Sequence, residues 1–308
     1  MVHHDEDVLP AADGHRIRVQ RWSPDGEPAA IVQVLHGLGE HSARYARFAE
    51  AAAARGFAVV AHDHRGHGAH ADEPGRFAAA DGWNKVVADA HRVNDAIRAA
   101  SPETPVILLG HSLGSFVAQA FAMHYGGHLA GLLLSGSTRP SRLALWPAAV
   151  VARAETFRLG GSGHSPLLHR LGFGGYNRPF APARTEFDWL SRDEAEVDRY
   201  IADPLCGGPF TCSLWLDVVR GLLGLSTRES ADRVPGDLPI LITGGADDPL
   251  GGDKGMGRLA LRYAETLHSR LSVKVYPGGR HEMLNDLDRD RVTADWLDWI
   301  AATTGNAR

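Results

Sequence analysis

Cysteine is nearly absent: 308 residues hold two, Cys206 and Cys212. Two cysteines cannot build a disulfide framework, and they fit a reducing compartment, expected here to be cytoplasmic. A large excess of one charge is missing too. Asp and Glu number 37 against 32 Lys and Arg, a net charge of −5. No basic run is long enough to track a phosphate backbone, so nucleic acid is not an expected partner. No apolar run reaches the ~18 residues a membrane span needs. The longest, residues 143–152, is interrupted by Pro147. The first seven residues are polar and acidic, without the basic and apolar parts of a secretory signal. The composition does support a core: 44% hydrophobic and 22% charged residues exclude a disordered chain.

Short apolar runs alternate with helix-period blocks. Strands are expected at residues 31–35, 57–61, 106–109, 129–134, 239–242 and 271–275. Helices are expected at 45–55, 83–100, 114–124, 254–268 and 286–303. The strand runs are continuously apolar rather than alternating, as strands buried on both faces must be. That predicts a mostly parallel sheet covered by helices. The rhythm lapses between Thr138 and Leu238, where aromatics, prolines and a charged helix-like stretch at 193–200 replace it. One α/β domain with an insertion of ~100 residues fits this better than tandem domains.

Gly110-His111-Ser112-Leu113-Gly114 sits between an expected strand and an expected helix. This is G-x-S-x-G in the strand-turn-helix setting that exposes a nucleophilic serine at the carboxyl edge of a sheet. The following helix aims its first N–H groups at the same place. A serine hydroxyl needs a base, and the base needs an orienting acid. In this arrangement the acid and then the histidine follow the serine in the chain. The strand at 239–242 runs into Asp247-Asp248-Pro249, and the strand at 271–275 runs into Gly278-Gly279-Arg280-His281. His281 is the candidate base. Of the tandem acids Asp248 is favoured, because the residue before a proline is held extended; Asp247 remains the alternative.

His36-Gly37-Leu38-Gly39 follows the first strong strand. Such a segment supplies one backbone N–H to an oxyanion hole, and the residue after the nucleophile supplies another. The candidates are the Leu38 and Leu113 amides. A dinucleotide-binding reading of Gly37 and Gly39, with Asp63 on the ribose, fails at the third glycine position, which is Ser42. The loop from His62 to His70 carries four histidines but no cysteine and no helical H-E-x-x-H. It is read as a hydrogen-bonded loop, and no metal is expected. The two cysteines are read as buried free thiols.

His36-Gly37-Leu38-Gly39-Glu40-His41-Ser42-Ala43-Arg44-Tyr45, Asp63-His64-Arg65-Gly66-His67-Gly68 and the elbow together resemble the monoacylglycerol lipases and the bacterial proteins called lysophospholipases. Asp248-Pro249-Leu250-Gly251, Tyr276 through Glu282, and the stretches Phe173 to Asn177 and Asp203 to Gly207 look like the same bacterial branch. These are serine hydrolases of the α/β-hydrolase fold. The resemblance implies that Asp248 is the acid. It implies a core of residues 1–137 and 237–308, with residues 138–236 as a mainly helical cap over Ser112. Leu143, Leu145, Trp146, Val150 and Val151 of that cap would line an acyl channel, touch a membrane surface, or simply pack. The expected activity is hydrolysis of a small carboxylic ester with an apolar acyl chain, without a cofactor. An amidase or aminopeptidase, an acyltransferase, and a non-catalytic binder are the alternatives.

Overall fold

Five of the six apolar runs form strands buried on both faces, as their lack of alternation requires; the run at 271–275 instead forms an edge strand that is largely exposed. A computed structural model describes residues 1–266 and 268–305. In chain order the elements are β1 (His3–Pro10), β2 (Arg16–Ser23), β3 (Ala30–Leu35), α1 (Ala46–Ala54), β4 (Phe57–His62), α2 (Gly82–Ala100), β5 (Val106–His111), α3 (Leu113–Tyr125) and β6 (Gly131–Ser135). Next come α4 (Arg142–Leu159), α5 (Pro166–Phe173), α6 (Glu194–Ala202), α7 (Cys212–Leu225) and α8 (Arg228–Asp232). β7 (Ile240–Gly245), α9 (Gly252–Ala264), β8 (Leu271–Tyr276) and α10 (Arg289–Thr303) complete the chain.

The eight strands form one sheet in the order β1-β2-β4-β3-β5-β6-β7-β8. From β4 to β8 every neighbouring pair is parallel, while β1 and β2 add antiparallel strands at one edge. This is the α/β-hydrolase architecture. Side chains of β3 leave alternately for the two faces: Val32 and Val34 pack against α1 and α10, and Leu35 packs with α2 and α3. Each such aliphatic side chain contributes about 1.5–3 kcal/mol when fully buried. Because the strands from β4 to β8 are parallel, their carboxyl ends share one edge. The turns after β3, β5, β7 and β8 therefore gather there.

Three expectations need correction. β1 and β2 were not foreseen. The helix expected at 254–268 ends at Ala264, and Leu267 lies outside the described residues. The stretch read as irregular holds five helices, α4 to α8, between β6 and β7. The run broken by Pro147 is itself helical, within α4.

Candidate active site

The turn from β5 into α3 is one residue long. Ser112 occupies it with φ 52° and ψ −119°. Among the described residues only Asp81 shares a positive φ without being glycine. Such a conformation costs about 1–3 kcal/mol. Two glycines make the turn possible. A Cβ on Gly110 would lie 2.4 Å from the Gly114 carbonyl oxygen, and one on Gly114 would lie 2.0 Å from that of Leu35. The N–H of Ser112 donates to the Ser135 carbonyl at 2.9 Å, and the Ser112 carbonyl accepts from the Ser115 N–H and hydroxyl. The backbone is thereby held, and the Ser112 side chain lines a cavity.

His281 and Asp248, at the ends of neighbouring strands, meet. Nδ1 of His281 lies 2.9 Å from Oδ2 of Asp248, and both side chains are buried. Asp247 is exposed, and its N–H donates to the Gly279 carbonyl. Burial alone would lower the His281 pKa; the Asp248 carboxylate outweighs it and holds the imidazole above its usual value. Ser112 and His281 line the same cavity.

The Leu38 and Leu113 N–H groups donate to no protein acceptor, and both residues line that cavity as well. The loop carrying Leu38 is fixed from below. Glu40 Oε1 accepts from the Gly37 N–H at 2.5 Å and from the Tyr45 hydroxyl at 3.0 Å. Arg44 bridges Glu40 at 2.9 Å and Glu282 at 2.7 Å, so one cation joins the loop after β3 to the residue beside His281. Glu40, Arg44 and Glu282 lie inside the motif segments, but no role for them follows from the sequence. The available signal was the i,i+4 pairing of Glu40 with Arg44 in a segment otherwise made of small and aromatic residues.

The histidine-rich loop has the place expected of a hydrogen-bonded loop. The His64 N–H donates to His36 Nε2 at 2.9 Å, and His64 Nε2 contacts the His36 carbonyl at 3.0 Å. His62, His64 and His67 are buried, while His70 is exposed. Among the described residues these histidines form no metal-ligand cluster. Asp63 accepts from the Ser42 N–H and hydroxyl, which ties it to the Leu38 loop rather than to any ribose. Cys206 and Cys212 are free thiols; Cys212 is buried and Cys206 half-buried.

The cavity measures about 270 Å³. Its floor is the edge of the sheet, with Ser112, His281, Leu38 and Leu113. Its walls are almost all apolar and come from the insertion, among them Leu145, Leu168, Phe173, Trp189, Trp215 and Leu222. The polar lining residues Glu40, Tyr200 and Glu282 cluster around the Leu38 loop and His281. Of the five residues singled out on the first inserted helix, Leu145 faces the cavity and Val151 packs on the core, whereas Leu143, Trp146 and Val150 are exposed.

Residues 26–288 match the model of the family described as serine aminopeptidase, S33. The chain belongs to that family. It is 32% identical to the monoglyceride lipase of Homo sapiens, over 96% of this chain and 90% of that one. It is 29% identical to a monoacylglycerol lipase of Mycolicibacterium smegmatis, over 94% of each. Among solved structures, a thermostable carboxyl esterase from Bacillus coagulans, determined with glycerol, superposes with a TM-score of 0.87 at 27% identity, over 98% of this chain and 99% of that one. The protein is thus an α/β-hydrolase and a carboxylic ester hydrolase, with a small-molecule ester as its substrate. Among the described residues no helix of this hydrolase is long and apolar enough to cross a membrane.

Proposed function

We propose that this hydrolase cleaves esters of apolar acids, with monoacylglycerols as the leading class and lysophospholipids beside them, through an acyl-enzyme. Ser112 attacks the ester carbonyl as His281 takes its proton. Asp248 orients the ring and stabilises the imidazolium. The Leu38 and Leu113 amides hold the oxyanion. His281 then protonates the leaving alcohol and activates water to release the acid. Residues 138–236 act as the cap over residues 1–137 and 237–308, excluding bulk water from the reaction.

The observation that carries this reading is the buried 2.9 Å bond between Asp248 and His281, whose side chain lines the same cavity as Ser112. The walls favour an apolar acyl chain. A volume of about 270 Å³ lies just below the ~300–1,000 Å³ usual for ligand pockets, which favours short to medium chains. The exposed Leu143, Trp146, Val150 and Phe157 on α4 support transient contact between the cap and a membrane surface. The paucity of cysteine supports a cytoplasmic setting.

The family's description supplies a second reading, an aminopeptidase. A peptide amine would need a free carboxylate in the cavity. Both candidates, Glu40 and Glu282, are already paired with Arg44, which favours the ester.

Ser112→Ala should lower kcat on a medium-chain ester by about 10⁴–10⁶ and abolish labelling by a fluorophosphonate probe. Labelling that survives in a folded variant removes Ser112 from the mechanism. Asp248→Asn should be nearly as damaging, and Asp247→Asn close to neutral; the reverse order would reassign the acid.

A further inference from the structure

On the far side of α3 from the elbow, a second group of side chains converges. His91 and Asp95 lie one turn apart on α2, and His128 closes the turn that follows α3. Tyr125 stacks on the His91 ring, with centroids 3.6 Å apart and planes 15° from parallel, and so holds that ring in place. The His128 ring lies 5.6 Å from it. Nε2 of His91 sits 3.4 Å from Asp95 Oδ1 without making a hydrogen bond. Nδ1 of His128 also bonds to no protein group, and both nitrogens are shielded from solvent. One donor atom from each of the three residues lies within 4.8 Å of the other two.

We propose that His91, Asp95 and His128 form a binding site for one divalent first-row transition-metal ion, with zinc as the type case, separate from the catalytic centre. Two imidazoles and a carboxylate are a donor set that zinc accepts, at about 2.0–2.2 Å per bond. Tetrahedral geometry at that length places donors about 3.3 Å apart. His91 Nε2 and Asp95 Oδ1, 3.4 Å apart, already have that spacing, and the His128 donor, within 4.8 Å of both, would reach it by side-chain rotation. Calcium and magnesium are disfavoured, since they take six or more oxygens. The other three-donor group among the described residues, His41, Asp203 and Cys206, is less suited. His41 already bonds Asp203 at 2.9 Å, and burial pushes the Cys206 thiol up, away from the thiolate that a metal needs. An ion at the first site would pin α2 to the end of α3, whose first residue is Leu113, and would add rigidity without entering the chemistry.

The full chain should be stripped with chelator and titrated calorimetrically with zinc chloride, with cobalt(II) absorption as a second readout. One saturable site is expected, together with a rise in Tm of about 5 °C at 100-fold excess over Kd. His91→Gln and His128→Gln should each weaken zinc binding at least ~10-fold. Both should leave ester hydrolysis by the metal-free protein unchanged, so that failure here is distinguishable from failure of the hydrolase reading. His41→Ala should retain the site. If either histidine variant fails to fold, Asp95→Asn, a change at a half-exposed position, decides: a loss of about 5-fold or more supports the site. Zinc affinity unchanged in the folded variants, or no saturable binding below millimolar zinc, overturns it.

Discussion

Residues 142–173 and residues 188–211 belong to the same insertion, yet they are attached in opposite ways. The second stretch is laced to the loops that carry the candidate chemistry. Tyr200 Oη and the Gly207 N–H both donate to the Gly39 carbonyl, at 2.8 and 2.9 Å. His41 reaches Asp203 at 2.9 Å. On the other side, the Glu282 N–H donates to the Leu190 carbonyl, Arg280 donates to the Asp188 and Ser191 carbonyls, and Arg192 pairs with the buried Asp286. The first stretch, α4 and α5, makes hydrogen bonds mainly within the insertion, through Thr156, Arg158 and Ser165. Ser162, between the two helices, accepts from Arg76 of the core. α4 rests on α7, and α7 rests on α2 and α3. Its outer face carries exposed apolar side chains, with Leu143 90% and Phe157 94% exposed, beside the exposed Arg142, Arg153 and Arg158. One half of the insertion is thus part of the candidate site's frame. The other half meets the cavity mainly through apolar contact, which is non-directional and tolerates sliding.

The largest effect that would break this contrast is expected at Arg44. Arg44→Met leaves Glu40 and Glu282 buried together without their cation. Removing one partner of a buried ion pair costs about 3–5 kcal/mol. The Tm should fall by about 10 °C, and ester hydrolysis should fall with it, because the Leu38 loop and the His281 loop lose their shared tie. Arg158→Met in the outer half removes an exposed cation from the buried Glu155, which keeps its hydrogen bond from Ser165, and should lower the Tm by no more than about 3 °C. Thermal melts of the two variants side by side check both; equal losses would mean that the halves are anchored alike.

The two halves were also unequally legible. The parallel strands were readable because burial on both faces leaves continuous apolar runs, as at Ile31 to Leu35. The elbow was readable because its geometry tolerates only glycine at residues 110 and 114. β1 left almost no signal: it is a charged edge strand whose side chains are largely exposed, held mainly by its ladder to β2. β2 did leave one, since Ile17 and Val19 alternate with Arg16, Arg18 and Gln20. α7 was legible in principle, with Thr211 capping its first turn and Leu214, Trp215, Val218 and Leu225 at helical spacing. The polar lacing of residues 188–211 was not legible. Its partners lie far away in the chain, and an arginine that will pair with a buried aspartate reads no differently from one in solvent.

Acid should loosen the framed side from beneath, as a second and somewhat smaller effect. His36, His62, His64 and His67 are buried below the Leu38 loop, and burial lowers the pKa of each. In the unfolded chain they titrate near 6.5. The unfolded state therefore binds more protons, and stability falls as pH drops below that value. For His62, whose pKa falls to about 4, the loss between pH 7 and pH 4 is about 3 kcal/mol. His281 has the opposite sign. Its raised pKa favours the protonated ring, so the stability it adds is full below 6.5 and disappears as pH rises through the folded value. As the proposed base it must be neutral, which places the acid limb of kcat/KM above pH 6.5. Chemical denaturation from pH 7 to 4 and a kcat/KM profile test the two separately. A stability flat to pH 4 would show that the folded protein takes up these protons as readily as the unfolded chain, so that burial does not lower the histidine pKa values.

The smallest effect on the fold is expected at the outer face of α4, and there the contrast gives its sharpest readout. Trp146 and Phe157 are exposed, so Trp146→Ser with Phe157→Ser removes no packing and should shift stability by less than about 0.5 kcal/mol. Hydrolysis of a short, water-soluble ester should be unchanged, because neither residue lines the cavity. Partition onto phosphatidylcholine vesicles should fall by about tenfold or more, since burying one such ring in an apolar phase is worth about 1.5–3 kcal/mol. Hydrolysis of a vesicle-borne ester should fall in proportion. Should binding to vesicles persist in the double variant, the outer face is not what meets the lipid; should the short ester suffer as well, the outer half is part of the frame after all and its looseness is only apparent.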